Sequence, residues 1–254
     1  MSEPVTLDPL SYASFYVGQI YNGLLIGSGT CFFVKRNGKT FLMTNWHVVT
    51  AKDPITELDL NLHHYHPDHL HVSVFKDQDI VERTIMDVNL YSSDGRPLWK
   101  EHPSHSHKID VVAIEVTLPV GMAVSYVEDC MEPFNEGTEA AIADDVFVLG
   151  YPFGLSVAEH FPIWKRASIA SEPVIDVDNL PLIYVDTATR PGMSGSPVVY
   201  RERRAVSIMG PNQFSRYKMS LVGVYSGRIG ENKDFTVQLG KVWKAKVIDE
   251  IIKG

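Results

Sequence analysis

Cysteine is scarce in this sequence: only Cys31 and Cys130 occur among 254 residues. Two are too few for a disulfide framework, so a pair of reduced thiols is the expectation. No apolar run approaches the ~20 residues that cross a bilayer. The opening stretch from Met1 to Leu10 has no basic segment followed by an apolar one, so neither a secretory leader nor a membrane anchor is expected, and the expected address is cytoplasmic. Positive charge is also short. Lys and Arg number 23 against 31 Asp and Glu, a net charge of −8, which argues against holding nucleic acid by a general positive field. Internal repeats and low-complexity tracts are missing too. The rest is ordinary for a soluble chain: 44% hydrophobic and 21% charged, enough for one or two globular domains.

The apolar residues come in short runs rich in β-branched and aromatic types, separated by turn residues, which favours many strands over a few long helices. The best specified hairpin joins Thr30–Val34 to Thr40–Thr44 through Arg36-Asn37-Gly38-Lys39, where Asn-Gly suits a turn with two positive φ angles. Further strands are expected at Val72–Phe75, Val111–Val116, Val146–Leu149, Leu182–Val185, Val198–Tyr200, Ala205–Met209, Leu221–Tyr225 and Phe235–Leu239. Arg201-Glu202-Arg203-Arg204 reads as a hairpin turn. So many short strands suggest barrels or a sandwich. The stretch Glu132–Ala143 reads as a bridge between two β units. From Lys241 the period changes: Trp243, Val247 and Ile251, with Ile248 and Ile252, form one apolar stripe, which predicts a C-terminal amphipathic helix.

Chemistry enters at Arg190-Pro191-Gly192-Met193-Ser194-Gly195-Ser196-Pro197. Glycines around Ser194 open backbone conformations barred to other residues, so the amides of Gly192 and Ser194 can converge on one developing oxyanion. Gly-x-Ser-Gly alone is also a common surface turn, and the serine needs a base. None of the ten histidines follows Ser194, which excludes the α/β-hydrolase order, where histidine comes after the nucleophile. Upstream, His47 closes the second strand of the predicted hairpin. Asp110 opens the apolar run Val111-Val112-Ala113-Ile114. Histidine would take the serine proton, and the carboxylate would hold the imidazole in the right tautomer. A strand-end polar histidine and a turn aspartate are the plain alternatives for each residue taken singly.

Taken in order, Thr44-Asn45-Trp46-His47-Val48-Val49, Asp110-Val111-Val112-Ala113-Ile114 and Gly192-Met193-Ser194-Gly195-Ser196-Pro197 resemble the triad segments of chymotrypsin/trypsin-like serine peptidases. Gly27-Ser28-Gly29-Thr30-Cys31-Phe32-Phe33-Val34 is similar to the first-barrel strand that precedes the histidine hairpin in bacterial HtrA-type members, and Phe147-Val148-Leu149-Gly150-Tyr151-Pro152-Phe153-Gly154 resembles their second-barrel opening. Ser194-Gly195-Ser196-Pro197 also resembles bacterial glutamyl endopeptidases. The resemblance implies an all-β chymotrypsin-like fold of two six-stranded antiparallel barrels with a C-terminal helix: 10–131 carrying His47 and Asp110, 132–239 carrying Ser194, and the helix over 240–254. It implies a serine endopeptidase of bacterial type working through an acyl-enzyme, with no cofactor. The residue before the serine is Met193, so activation by an aspartate paired with a new N-terminus is not expected, and the disulfide beside the histidine is missing.

By the same resemblance, Ala188, Thr189 and Arg190 with Tyr225, Ser226 and Gly227 contact substrate. No acidic residue stands at the pocket base, so Lys or Arg before the scissile bond is disfavoured. A small or apolar side chain is the first expectation; an acidic one drawn by Thr189, Arg190 or Arg228 is the second. The run His63-His64-Tyr65-His66-Pro67-Asp68-His69-Leu70-His71 invites a zinc reading, extendable to His102, His105 and His107, but lacks the paired spacing of structural zinc motifs; no metal site is expected. Partners are thus a protein or peptide substrate, with no nucleic acid and no membrane. A rival reading is a silent or latent peptide-binding module using the same cleft, and a third is a protease governed by a regulatory partner protein.

Overall fold

The computed structural model describes residues 7–77, 79–131, 140–158, 160–203, 217–229 and 238–254. The first half forms β1 (Phe15–Tyr21), β2 (Leu24–Arg36), β3 (Lys39–Thr44), α1 (Trp46–Thr50), β4 (His69–Lys76), β5 (Asp79–Asn89), β6 (Trp99–Lys100), β7 (Val112–Val116) and β8 (Met122–Ala123). The second forms β9 (Asp145–Gly150), β10 (Ile163–Ile169), β11 (Leu182–Asp186), β12 (Pro197–Arg203), β13 (Tyr217–Arg228), β14 (Leu239–Lys244) and α2 (Lys246–Lys253). The paired strands all run antiparallel among the described residues. The first sheet runs β5-β4-β1-β2-β3-β7-β6, with β8 added to β4, and the second is a closed barrel, β10-β11-β14-β13-β12-β9. The chain is therefore all-β and chymotrypsin-like. Where six strands are expected in the first half, the two-residue strands β6 and β8 extend the sheet to eight, and among the described residues its hydrogen-bonded path stays open.

The Asn37-Gly38 hairpin forms in the expected register, Arg36 opposite Lys39, with both turn residues at positive φ. Tertiary pairing moves other boundaries. The C-terminal helix begins at Lys246 rather than Lys241, because Leu182–Asp186 and Gly223–Arg228 claim the intervening residues as β14. Trp243 is buried in that strand, opposite Leu182 and Val224. Arg201–Arg203 does not turn: it continues β12, paired with Tyr217–Met219. The expected bridge over 132–143 and strand Ala205–Met209 lie mostly or wholly outside the described residues, as does most of Phe235–Leu239.

Helix α2 ends the chain but packs on the first half as well. Val247, Ile248, Ile251 and Ile252 are buried in a cluster with Phe32, Val34, Ile109 and Leu149. Arg36 Nε donates to Asp249 Oδ1 at 2.7 Å, and Lys100 Nζ to the carbonyl of Ile252 at 2.8 Å. Each such apolar side chain contributes about 1.5–3 kcal/mol by leaving water. Ile251→Ala should therefore lower unfolding free energy by about 2–5 kcal/mol in a urea titration, by lost transfer and a residual cavity. Among the described residues no helix is long and apolar enough to cross a membrane.

Candidate active site

A buried residue of β2 ties the serine loop to the first half. Thr30 donates its amide to the Ser194 carbonyl (2.8 Å) and its hydroxyl to the Gly192 carbonyl (2.8 Å), while its own carbonyl accepts from Thr44 Oγ1 (2.8 Å). The serine loop is thus bolted to the strand that leads into the histidine hairpin. Close approach makes glycine necessary here: a Cβ on Gly195 would stand 2.1 Å from the Thr30 carbonyl oxygen, and Gly195 has φ +84. Gly192 has φ +95, and a Cβ there would stand 2.3 Å from the Tyr151 carbonyl oxygen.

His47 lies in the first turn of α1, just past the strand where the sequence predicts it. Asn45, at the helix N-cap, sends its Nδ2 to the Asp110 carbonyl (2.6 Å), and Ala51 ends the helix in the left-handed region. Gln19 of β1 donates to the Val48 carbonyl (2.6 Å) and, at 3.4 Å, to that of His47. These contacts fix the helix against the sheet.

Asp110 is 1% exposed. Its Oδ1 accepts the His47 amide at 2.9 Å; its Oδ2 lies 2.6 Å from His47 Nδ1 and accepts from Ser226 Oγ at 2.6 Å. A carboxylate this deeply buried is tolerated because it collects several donors. The sequence reading puts Ser226 with the substrate-contacting residues; in the structure its hydroxyl belongs to Asp110. Ser226→Ala should lower kcat/KM about 10-fold, the worth of one hydrogen bond to a charged group, with KM nearly unchanged in steady-state kinetics.

Ser194 is half-buried, and its carbonyl oxygen and the side chain of Val48 both lie within 3.3 Å of the point where a Cβ on Gly29 would sit. The serine loop therefore meets the start of the histidine helix. Among the described residues no hydrogen bond joins His47 to Ser194; such contacts are often long before substrate binds. In the same loop, the amides of Met193, Gly195 and Ser196 donate to the carbonyls of Arg190, Tyr225 and Met193, whereas those of Gly192 and Ser194 have no acceptor among the described residues. These two unused donors are the pair the sequence singles out.

Around them, Thr189 and Tyr225 are buried and hydrogen-bonded to each other through their hydroxyls. Burial pushes the Tyr225 phenol up to about 12, and the Thr189 bond and Arg228 pull it down only in part. It therefore stays neutral at working pH. Ala188 is half-buried, Arg190 is exposed with Nη1 on the Thr189 carbonyl (3.1 Å), and Gly227 has φ +110. Sequence reasoning missed Thr30, Thr44 and Gln19; their signal is a polar side chain inside an otherwise apolar strand. A separate cleft of about 520 Å³, lined by His102, His105, Asp176 and Glu250 against α2, shares none of these residues.

Residues 29–208 match the sequence profile of the trypsin-like peptidase domain. The chain belongs to that family. The peptidase domain is similar in structure to the serine endoprotease from Yersinia pestis, with TM-score 0.55 at 12% identity, covering 99% of this chain and 67% of that one. It is also similar to the Rv3671c protease of M. tuberculosis in an inactive form, at 17% identity over 96% of this chain and 88% of that one, with TM-score 0.49. At 12% identity the likeness to the Yersinia pestis structure speaks to fold. No curated protein matches the chain. As a trypsin-like peptidase domain, the chain has protein or peptide as its implied substrate class.

Proposed function

We propose that this peptidase domain is a serine endopeptidase acting through an acyl-enzyme. Ser194 Oγ attacks the scissile carbonyl, and His47 takes its proton through Nε2 and later returns it to the leaving amine. Asp110 accepts from His47 Nδ1–H, fixes that tautomer and steadies the imidazolium. The amides of Gly192 and Ser194 receive the oxyanion. One observation carries this reading: the 2.6 Å contact between His47 Nδ1 and the buried Asp110 carboxylate, made beside the serine loop. The two unused amides support the oxyanion role, since donors with no internal acceptor are available to a developing charge.

We further propose a small or apolar side chain before the scissile bond. The hydroxyls of Thr189 and Tyr225 already pair with each other, and no carboxylate stands among the pocket residues to balance a buried Lys or Arg. Two free thiols, Cys31 buried and Cys130 half-buried, suit the reducing, cytoplasmic setting included in this reading. The missing His47–Ser194 hydrogen bond favours a second reading, a latent or silent module that a regulatory partner switches on.

Cleavage of a peptide library by the purified protein tests the proposal. Cuts at internal bonds after small or apolar residues are expected. Cuts only after Lys or Arg would overturn the pocket assignment, and an intact library would overturn the endopeptidase.

A further inference from the structure

The histidine run of the sequence does not stay together in the fold. His63, His64 and His66 lie before β4, whereas His69 and His71 stand two apart on that strand and share one face. β5 runs alongside, with Asp87 directly opposite His71. The nearest approaches are 3.2 Å between the two Nε2 atoms and 3.1 Å between His71 Nε2 and Asp87 Oδ1. All three donor atoms lie within 4.8 Å of one another.

We propose that His69, His71 and Asp87 form a binding site for a zinc-class divalent cation, with a fourth position open to solvent. Three observations point the same way. The first is the size of the cluster. Metal–nitrogen bonds of about 2.0–2.1 Å at tetrahedral angles put neighbouring ligand atoms about 3.3–3.4 Å apart, close to the two edges that meet at His71 Nε2, with the third edge within 4.8 Å. The second is donor chemistry: two imidazoles and one carboxylate are the ligand types zinc takes in open, three-ligand sites. The third is an orienting carboxylate behind one ligand. Asp68 Oδ1 bonds His69 Nδ1, while Asp68 Oδ2 accepts the Asn22 amide at 2.7 Å. Pinned from both sides, Asp68 holds the proton of His69 on Nδ1 and leaves the Nε2 lone pair facing the cluster. A ligand histidine held by a carboxylate through its other nitrogen is the usual outer-shell arrangement of a metal site.

Spacing in the sequence hides this site, because the third ligand comes from a neighbouring strand rather than from the histidine run. The side chains of His71 and Asp87 are 40% and 67% exposed, so an ion can enter from solvent. Bound there, it ties β4 to β5. His64 and His66 serve as a built-in contrast. Both lean on Asp59, at 2.6 and 3.5 Å, and His66 Nδ1 is taken by the Thr50 carbonyl.

The test is a Co²⁺ titration of the full chain read by visible absorption, in which tetrahedral Co²⁺ gives intense bands that the hydrated ion lacks. One equivalent should be taken up with such bands. Asp87→Ala and His71→Ala should abolish them, Asp68→Asn should weaken binding about 10–100-fold, and His64→Ala should leave it unchanged. Circular dichroism checks folding; Asp87 is exposed, so its variant keeps the test sound even if His71→Ala unfolds. Wild-type protein without tetrahedral bands, or bands that persist in Asp87→Ala, would overturn the assignment.

Discussion

Replacing Ser194 with alanine is expected to lower kcat by about 10⁶-fold, with folding unchanged. The two halves of this expectation have separate causes. Serine, histidine and aspartate act as a unit, so removing the nucleophile forfeits what all three contribute together, and only oxyanion stabilisation and substrate binding survive. Stability is spared because the contacts that hold the loop come from backbone. The Ser194 carbonyl accepts from Thr30, and the neighbouring amides of Gly195 and Ser196 donate to Tyr225 and Met193; none of these needs the hydroxyl. Single-turnover kinetics and a thermal melt measure the two halves. A variant that unfolds at lower temperature would place the hydroxyl in the packing, contrary to the account.

Asp110→Asn should lower kcat by about 10⁴-fold while keeping the shape of the site. The carboxylate here is an acceptor only, and three donors converge on it. Oδ1 takes the His47 amide; Oδ2 lies against His47 Nδ1 and takes the Ser226 hydroxyl. An amide of the same shape must turn its NH₂ toward one side of this arrangement. Facing His47 Nδ1, it forces the imidazole into the tautomer that cannot receive the serine proton at Nε2. Facing the His47 backbone, it sets donor against donor at the start of α1, which Asn45 and Gln19 still hold in place. In either orientation a buried donor loses its partner, at about 1–3 kcal/mol of stability. Steady-state kinetics paired with a urea titration reads both losses in one protein. Unchanged kcat in Asp110→Asn would mean that the 2.6 Å contact is structural.

The site was more legible in the sequence than the scaffold. Ser194, His47 and Asp110 sit in short local patterns, and the Asn37-Gly38 turn is dictated by two positive φ angles, so distant context changes neither. Strand β5 is different. Its buried positions are Met86 and Val88, whereas Arg83, in the opposite phase, is also half-buried because it stacks over the Phe75 ring at 3.8 Å and donates Nη1 to the Ser73 carbonyl. A half-buried charged residue out of phase with the core positions blurs the period of two. Strand β10 carries Lys165 and Arg166 in its middle for a related reason, since Arg166 reaches out to Asp145 at the barrel surface. The start of α2 and the role of Ser226 share one cause, pairing chosen by strands far away in sequence. Leu239–Lys244 is claimed by its neighbours in the barrel, and Ser226 lies at the register shift between Tyr225 and Gly227, where its hydroxyl reaches Asp110.

A fluorophosphonate probe reacts only with a serine hydroxyl that has been made nucleophilic, so it tests the central claim without needing a known substrate. Incubation of the intact chain followed by peptide mass mapping should find one adduct, on Ser194, lost in both Ser194→Ala and His47→Ala. Wild-type protein that stays unlabelled, or that carries its adduct on another residue, would contradict the assignment of His47, Asp110 and Ser194 to one reaction.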